Sequence, residues 1–337
     1  MPASVEPDVP DRGHAGPLTV VGPQVRPGPA HGTAMAHHGE ILQGVFERDE
    51  GGLTHAVVSL PFPSLHACAT FVPGRAAGVT VSPAWKTKAA GAARETLRRL
   101  GVREGGRLSV HSSIPVERGM GSSTADVVSA IRAVARAHGT TLTEEDVAAL
   151  AVRAEGASDG VMFGHRAVLY ANRDGYVLED LGGPLPSLEV LGFDVGGPDV
   201  DTIALPAREY HASEIEQLRD LRSMLRRAVT EADCALLGRT ATASARLNQR
   251  FLPQAALPLG ERICRDSDGI GVQVAHSGRV LAVLFDPASA GLAARVAHAR
   301  RQLRAAGVRR AWSFRTEPAT TGEPVLPRGA ENCEERL

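Results

Sequence analysis

Residues 114–126 read IPVERGMGSSTAD. Gly119 and Gly121 precede three hydroxyls, Ser122, Ser123 and Thr124, and an Ala/Val-rich stretch at 126–138 has helical composition and ends at Gly139. Three chemistries place hydroxyls at the mouth of a helix. A nucleophile elbow requires G-x-S-x-G; here the serine falls one position off and no glycine follows. A helix cap is sound physics, but it needs one hydroxyl and no upstream glycine pair. A phosphate cradle uses every residue. Helix N-termini carry unpaired amides and a positive dipole end. Glycines let backbone approach an anion, and hydroxyls donate to phosphate oxygens or ligate Mg²⁺. The stretch is not a Walker A loop, because no lysine follows the second glycine.

The bulk composition narrows the partners. The chain has 337 residues, is 43% hydrophobic and carries a formal net charge of −1. That is enough for a sizeable core in one large or two ordinary domains. Interspersed charge without a basic excess argues against nucleic acid or an anionic membrane as the partner. Cys68, Cys234, Cys264 and Cys333 lie far apart, without metal-ligand spacing, and read as reduced thiols of a cytoplasmic protein. No apolar run approaches the roughly 18–20 residues of a membrane helix, and no signal peptide is expected. Lys86 and Lys88 are the only lysines among 37 basic residues. Their pairing points to an ammonium approaching a site from a loop, or to a solvated surface.

Strand-like runs at 53–62 and 64–72 are separated by Pro63. The pattern then predicts a helix at 89–100, a strand at 107–114, and a helix at 142–156 with Thr143 as N-cap and Asp146 at its third position. GGPLP at 182–186 marks a predicted boundary between domains 31–183 and 184–316, flanked by tails 1–30 and 317–337 predicted to be disordered. Beyond it come a strand at 188–195, helical sequence at 213–250 broken near 231–233, a strand pair within 269–286, a helix at 289–306 and a strand at 310–315. Strands interleave with helices in both halves, so the class is α+β or α/β.

The pattern Pro115-x-x-x-Gly119-x-Gly121-Ser122-Ser123-x-Ala125 resembles the phosphate loop of the GHMP kinases, with Met120 where many members carry Leu. Three further stretches resemble the L-threonine kinase subgroup: AHHGEILQGVF (36–46), FDVGGPDVDTIAL (193–205) and GVQVAHSGRVLAVLFD (271–286). His37 and His38 depart from that subgroup, which usually has small residues and Cys there, and the loop after Asp199 is one residue longer.

The resemblance implies an α+β GHMP kinase fold. Its N-terminal half would be like ribosomal protein S5 domain 2 and its C-terminal half ferredoxin-like, with ATP in the cleft between them. It implies that Pro115, Gly119, Met120, Gly121, Ser122, Ser123 and Thr124 hold the ATP phosphates, and that Ser123 and Glu155 hold Mg²⁺. Asp159, in RAEGASDGVMF (153–163), would take or orient the acceptor proton. His38, Glu40, Gln43, Asp201, Thr202, His276 and Ser277 are the acceptor-side candidates; turns and internal hydrogen bonds are the competing reading of each. The expected activity is phosphorylation of a small amino-acid alcohol, L-threonine first, by a monomer or homodimer. A kinase for another small alcohol (serine, homoserine or a specialised-metabolite intermediate), a non-catalytic sensor and an ATP-dependent decarboxylase are the alternatives on the same fold.

Overall fold

The computed structural model describes residues 27–116, 118–196, 209–275 and 280–316. Their strands form one curled sheet in the order β10-β7-β9-β8-β1-β2-β4-β3, with β5 and β6 branching from β2. The strands are β1 (Ala30–Glu47), β2 (Leu53–Pro73), β3 (Val79–Ser82), β4 (Gly106–Ser112), β5 (Val168–Ala171), β6 (Tyr176–Asp180), β7 (Leu188–Asp194), β8 (Gly271–Val274), β9 (Val280–Phe285) and β10 (Arg310–Thr316). The helices are α1 (Thr87–Arg99), α2 (Ser122–Ala137), α3 (Glu144–Glu155), α4 (Ala212–Thr230), α5 (Cys234–Asn248), α6 (Leu257–Asp266) and α7 (Leu292–Ala305). This is the α+β class expected from the sequence. Strands from the two halves of the chain meet where β1 pairs with β8, at Glu40 and Val274.

The two long strands explain themselves by composition and by where they break. β1, filled largely by small residues, is buried along nearly its whole length, whereas β2, richer in β-branched residues such as Val57, Val58, Thr70 and Val72, alternates buried with partly exposed positions. The sequence predicts a break at Pro63, yet β2 runs through it. Pairing jumps instead, from Met35 opposite His66 to Ala36 opposite Phe62, so the proline sits in a bulge that needs no N–H from it. A second irregularity lies between His37, opposite Pro61, and Glu40, opposite Ser59. Three steps on β1 match two on β2. The extra residue is accommodated at Gly39, whose φ is +70°. A Cβ there would lie 2.2 Å from Gln273 Nε2, so both the turn and the packing require glycine.

Helix α2 lies against β1 and β2 and is the most buried helix. Val127, Val128, Ala130, Ile131, Ala133 and Val134 are all inaccessible. Each buried Val or Ile side chain contributes about 1.5–3 kcal/mol to keeping α2 in place, and the start of α2 inherits that rigidity. The helix begins at Ser122, four residues before the predicted start, so the hydroxyls stand inside its first turn. Thr143 caps α3 as expected, accepting the Asp146 amide at 3.1 Å. The predicted break in the long helical stretch falls between α4 and α5, where Ala232 takes φ 52° and Asp233 caps α5.

Candidate active site

The glycine loop turns twice through left-handed backbone, at Gly119 (φ 69°) and Gly121 (φ 70°), and delivers the chain into α2. Gly121 occupies the cap position and no side chain caps the helix, so the first-turn amides are left for an anion rather than for Ser122. The loop is pinned to β1, because the His37 amide donates to Met120 O at 3.3 Å and the Met120 side chain is buried.

Two carboxylates converge on that turn. Glu155 is the last residue of α3, which Gly156 ends in left-handed conformation. Ser123 Oγ donates to Glu155 Oε2 at 2.8 Å, and Thr124 Oγ1 donates to Oε1 at 2.9 Å. Burial pushes the Glu155 carboxyl up to about 7, and the neighbouring Asp159 charge adds to it, against the two hydroxyl bonds and the positive field of Lys88. Asp159 follows in the next loop, where its amide donates to Thr124 Oγ1 at 3.4 Å. One hydroxyl therefore serves both acids, as donor to Glu155 and acceptor from Asp159.

His37 completes the group. Its Nε2 lies 2.9 Å from Asp159 Oδ2, and its Nδ1 lies 3.0 Å from the Gly39 amide and 3.8 Å from Glu40 Oε1. Residues three apart on a regular strand face opposite sides. The extra residue at Gly39 turns His37 and Glu40 toward one another. Burial opposes a proton on this ring, but Asp159 and Glu40 outweigh it and hold His37 up to about 9. The ring also touches the loop, since a Cβ on Gly121 would lie 2.2 Å from His37 Cδ2.

Ser123 and Glu155 offer a hydroxyl and a carboxylate oxygen 2.8 Å apart, the hard oxygen donors that Mg²⁺ prefers. His37, Glu40 and Asp159 bring ligand atoms within 4.8 Å of one another. Both nitrogens of that ring are already engaged with protein groups, so the oxygen set fits a divalent ion better.

His38 does not join the site. It is fully buried, bonds Gln273 Oε1 through Nδ1 at 3.0 Å, and packs among Phe62, Trp312 and Phe314. Burial lowers its proton affinity to about 4. It is a neutral core histidine, a correction to its place among the acceptor contacts. Gln43 is buried, with its amide bound to Ser244 Oγ at 3.1 Å, so its backbone docks α5. Lys86 is not a loop lysine awaiting ATP: it is buried and paired with Asp126 of α2. Lys88 is exposed in the first turn of α1. Pro115 is exposed ahead of the loop. Asp201, Thr202, His276 and Ser277 lie outside the described residues. His37 was missed as a site residue; the signal was the H-H-G-E spacing, legible only once Gly39 is known to kink the strand.

Residues 87–166, which include the glycine loop, α2, Glu155 and Asp159, match the family described as GHMP kinases N terminal domain. An L-threonine kinase of Salmonella typhimurium (strain LT2) is 33% identical over 183 residues, 53% of this chain and 60% of that protein. The chain thus spans less than two thirds of the curated relative it matches. The homoserine kinase structure from Cytophaga hutchinsonii superposes with a TM-score of 0.66 at 16% identity, over 88% of this chain and 97% of that one. A structure of MDDEF in complex with MVAPP, AMPPCP and magnesium superposes with a TM-score of 0.61 at 14% identity, over 86% and 98%. The chain therefore carries a GHMP kinase N-terminal domain and has the GHMP kinase fold.

Proposed function

We propose that this chain is an ATP-dependent kinase that transfers a phosphoryl group to the hydroxyl of a small amino-acid alcohol, with L-threonine the first acceptor to test. The observation that carries the reading is the convergence of Ser123, Thr124, Glu155 and Asp159 on the uncapped first turn of α2. Phosphoryl transfer asks chiefly for positioning and charge neutralisation. In this reading Pro115 and the loop from Gly119 to Thr124 cradle the ATP phosphates, the amides of the α2 first turn facing their charge. Ser123 and Glu155 hold Mg²⁺, whose chemistry when bound is to neutralise phosphate charge. Asp159 accepts the acceptor's hydroxyl proton, and Glu40 lies beside His37 toward the acceptor. Asp201, Thr202, His276 and Ser277 remain acceptor-side candidates from sequence alone. The likeness to L-threonine kinase supports the choice of acceptor class; the solved complex with AMPPCP and magnesium supports the cofactor pair.

The test is ADP release from Mg-ATP with L-threonine, L-serine, L-homoserine and ethanolamine, using Asp159→Asn as control. The expected result is turnover with one amino alcohol and a loss of kcat on the order of a hundredfold in the variant. Near-normal turnover in Asp159→Asn removes Asp159 from the chemistry. Silence of the wild type across the panel, with ATP still bound, turns the reading toward a sensor. CO₂ release marks a decarboxylase instead.

A further inference from the structure

The imidazole of His37 stands between the two parts of the site that a kinase must hold together. One edge faces the glycine loop at Gly121, which has no room for a side chain because the ring is there. Its own amide holds Met120 O of the same loop. That edge of the ring also carries Nε2, which points at Asp159 Oδ2, 2.9 Å away. The ring is itself buried, so water does not compete for that bond.

We infer that His37 is a positioning residue for phosphoryl transfer: it donates its Nε2 proton to Asp159 and fixes the plane of that carboxylate relative to the phosphate loop. The inference rests on the kinase reading above. The bond survives either protonation state of the ring. In the neutral form Nδ1 accepts the Gly39 amide at 3.0 Å, which leaves the proton on Nε2. In the charged form Nδ1–H turns to Gly39 O at 3.4 Å, with Glu40 Oε1 at 3.8 Å, and Nε2–H still faces Asp159. In the reaction the acceptor oxygen forms the new bond to the γ-phosphorus as the bond to the β,γ-bridging oxygen breaks. ADP leaves and the hydroxyl proton passes to Asp159, so His37 neither gains nor loses a proton overall. Its contribution is orientation, and small misplacements of a reacting group cost large factors in rate.

The Gly39 turn is what makes this possible. Without the extra residue, His37 and Glu40 would face opposite sides of β1, and the ring would lose its anionic neighbour at Nδ1. The arrangement is built by backbone, and a single histidine exploits it.

The test compares His37→Ala and His37→Gln with the wild type in ADP release and in binding of a non-hydrolysable ATP analogue. Glutamine keeps an N–H donor of similar reach; alanine removes it. The expected result is a kcat about 10- to 100-fold lower in His37→Ala, at least half of that loss, on a logarithmic scale, recovered in His37→Gln, and analogue affinity within threefold of wild type in both. Equal kcat in wild type and His37→Ala overturns the inference, as does equal loss in both variants with matching falls in Tm, which would mean packing alone. If the wild type turns over no acceptor, the kinase reading has failed separately. The pair is then read by NMR of the His37 ring, whose pKa is expected to fall by more than one unit in Asp159→Asn; an unchanged value shows that the ring does not serve that carboxylate.

Discussion

Arg118 of the glycine loop pairs with Asp194 at the end of β7, so that loop is fastened directly to the C-terminal part of the sheet. Asp194 is almost completely buried. Its other oxygen accepts the Gly196 amide at 2.8 Å, and Arg310 stands 3.6 Å away as a second, exposed cation. Removing one partner of a buried pair strands the other charge and costs about 3–5 kcal/mol when nothing replaces it. Arg310 offsets part of that here. Urea unfolding is expected to show Arg118→Ala destabilised by roughly 2–3 kcal/mol, and Arg310→Ala by less than about 1 kcal/mol, as for an exposed pair. Equal effects of the two would mean that Arg118 is not the principal partner of Asp194.

Lys86 and Asp126 form a buried pair that joins the entry of α1 to α2, next to the exposed Trp85, whose ring lies 4.3 Å from the Lys86 ammonium. Burial raises the affinity of Asp126 for a proton, against the pull of Lys86. Lys86→Met leaves the Asp126 carboxylate stranded on the buried face of the helix that carries the hydroxyls, and about 3–5 kcal/mol of stability is expected to be lost. The double variant Lys86→Met/Asp126→Leu restores an uncharged interior and is expected to recover most of it. A double variant no better than Lys86→Met would show that the pair is held by geometry rather than by its charges.

Much of this was legible in the sequence where chemistry is local. The glycine pair and hydroxyls at 119–124 needed only one turn of chain to mark a turn into a helix, and Thr143 with Asp146 declared a cap that the fold then formed. The class was legible because strands and helices interleave along the chain, and the likeness to GHMP kinases because short motifs carry it, the match falling on residues 87–166. What was not legible depends on distant partners. His38 looks like a ligand until Phe62, Trp312 and Phe314, from β2 and β10, enclose it. Lys86 looks solvated until α2 supplies Asp126. Strand β1 carries few strand signals because small residues and three histidines fill it, and its burial against β2 and α2 overrides propensity. His37 enters the site only through a bulge whose register is set by β2.

Gly121 and Gly156 offer a controlled comparison. Both have positive φ, at 70° and 81°. A Cβ on Gly156 meets nothing within 4 Å, whereas one on Gly121 lies 2.2 Å from His37 Cδ2 and 2.7 Å from its Nε2. Gly156→Ala is expected to lose only the roughly 1–2 kcal/mol of left-handed backbone. Gly121→Ala adds the displacement of a buried ring bonded to Asp159. Thermal melts are expected to show the larger fall for Gly121→Ala, and calorimetry a weaker hold on a non-hydrolysable ATP analogue in that variant alone. Equal melts and equal binding would mean that the ring yields without consequence.

The two adjacent histidines set opposite limits on stability with pH. His38 is held neutral: burial brings its proton affinity down to about 4, from 6.5 when exposed. Its contribution is present above 6.5 and is lost as pH falls through 4, because only the unfolded chain then takes the proton readily. For His37, burial acts the same way, but Asp159 on the loop after α3 and Glu40 on its own strand reverse it and carry the ring to about 9. That contribution is complete below 6.5 and is lost as pH rises through 9. Each shift corresponds to about 3 kcal/mol at its limit. Urea unfolding between pH 4 and pH 9 is therefore expected to show His38→Gln losing less stability than wild type on the acid side, and His37→Gln losing less on the alkaline side. Glu155 works against the His38 trend in every variant, since its carboxyl is raised to about 7 and its contribution is lost as pH rises from the ordinary carboxylate range through 7. The comparison between variants, rather than the wild-type slope, isolates the ring. Parallel curves for wild type and His37→Gln above pH 7 would show that Asp159 and Glu40 do not hold the extra proton on the ring.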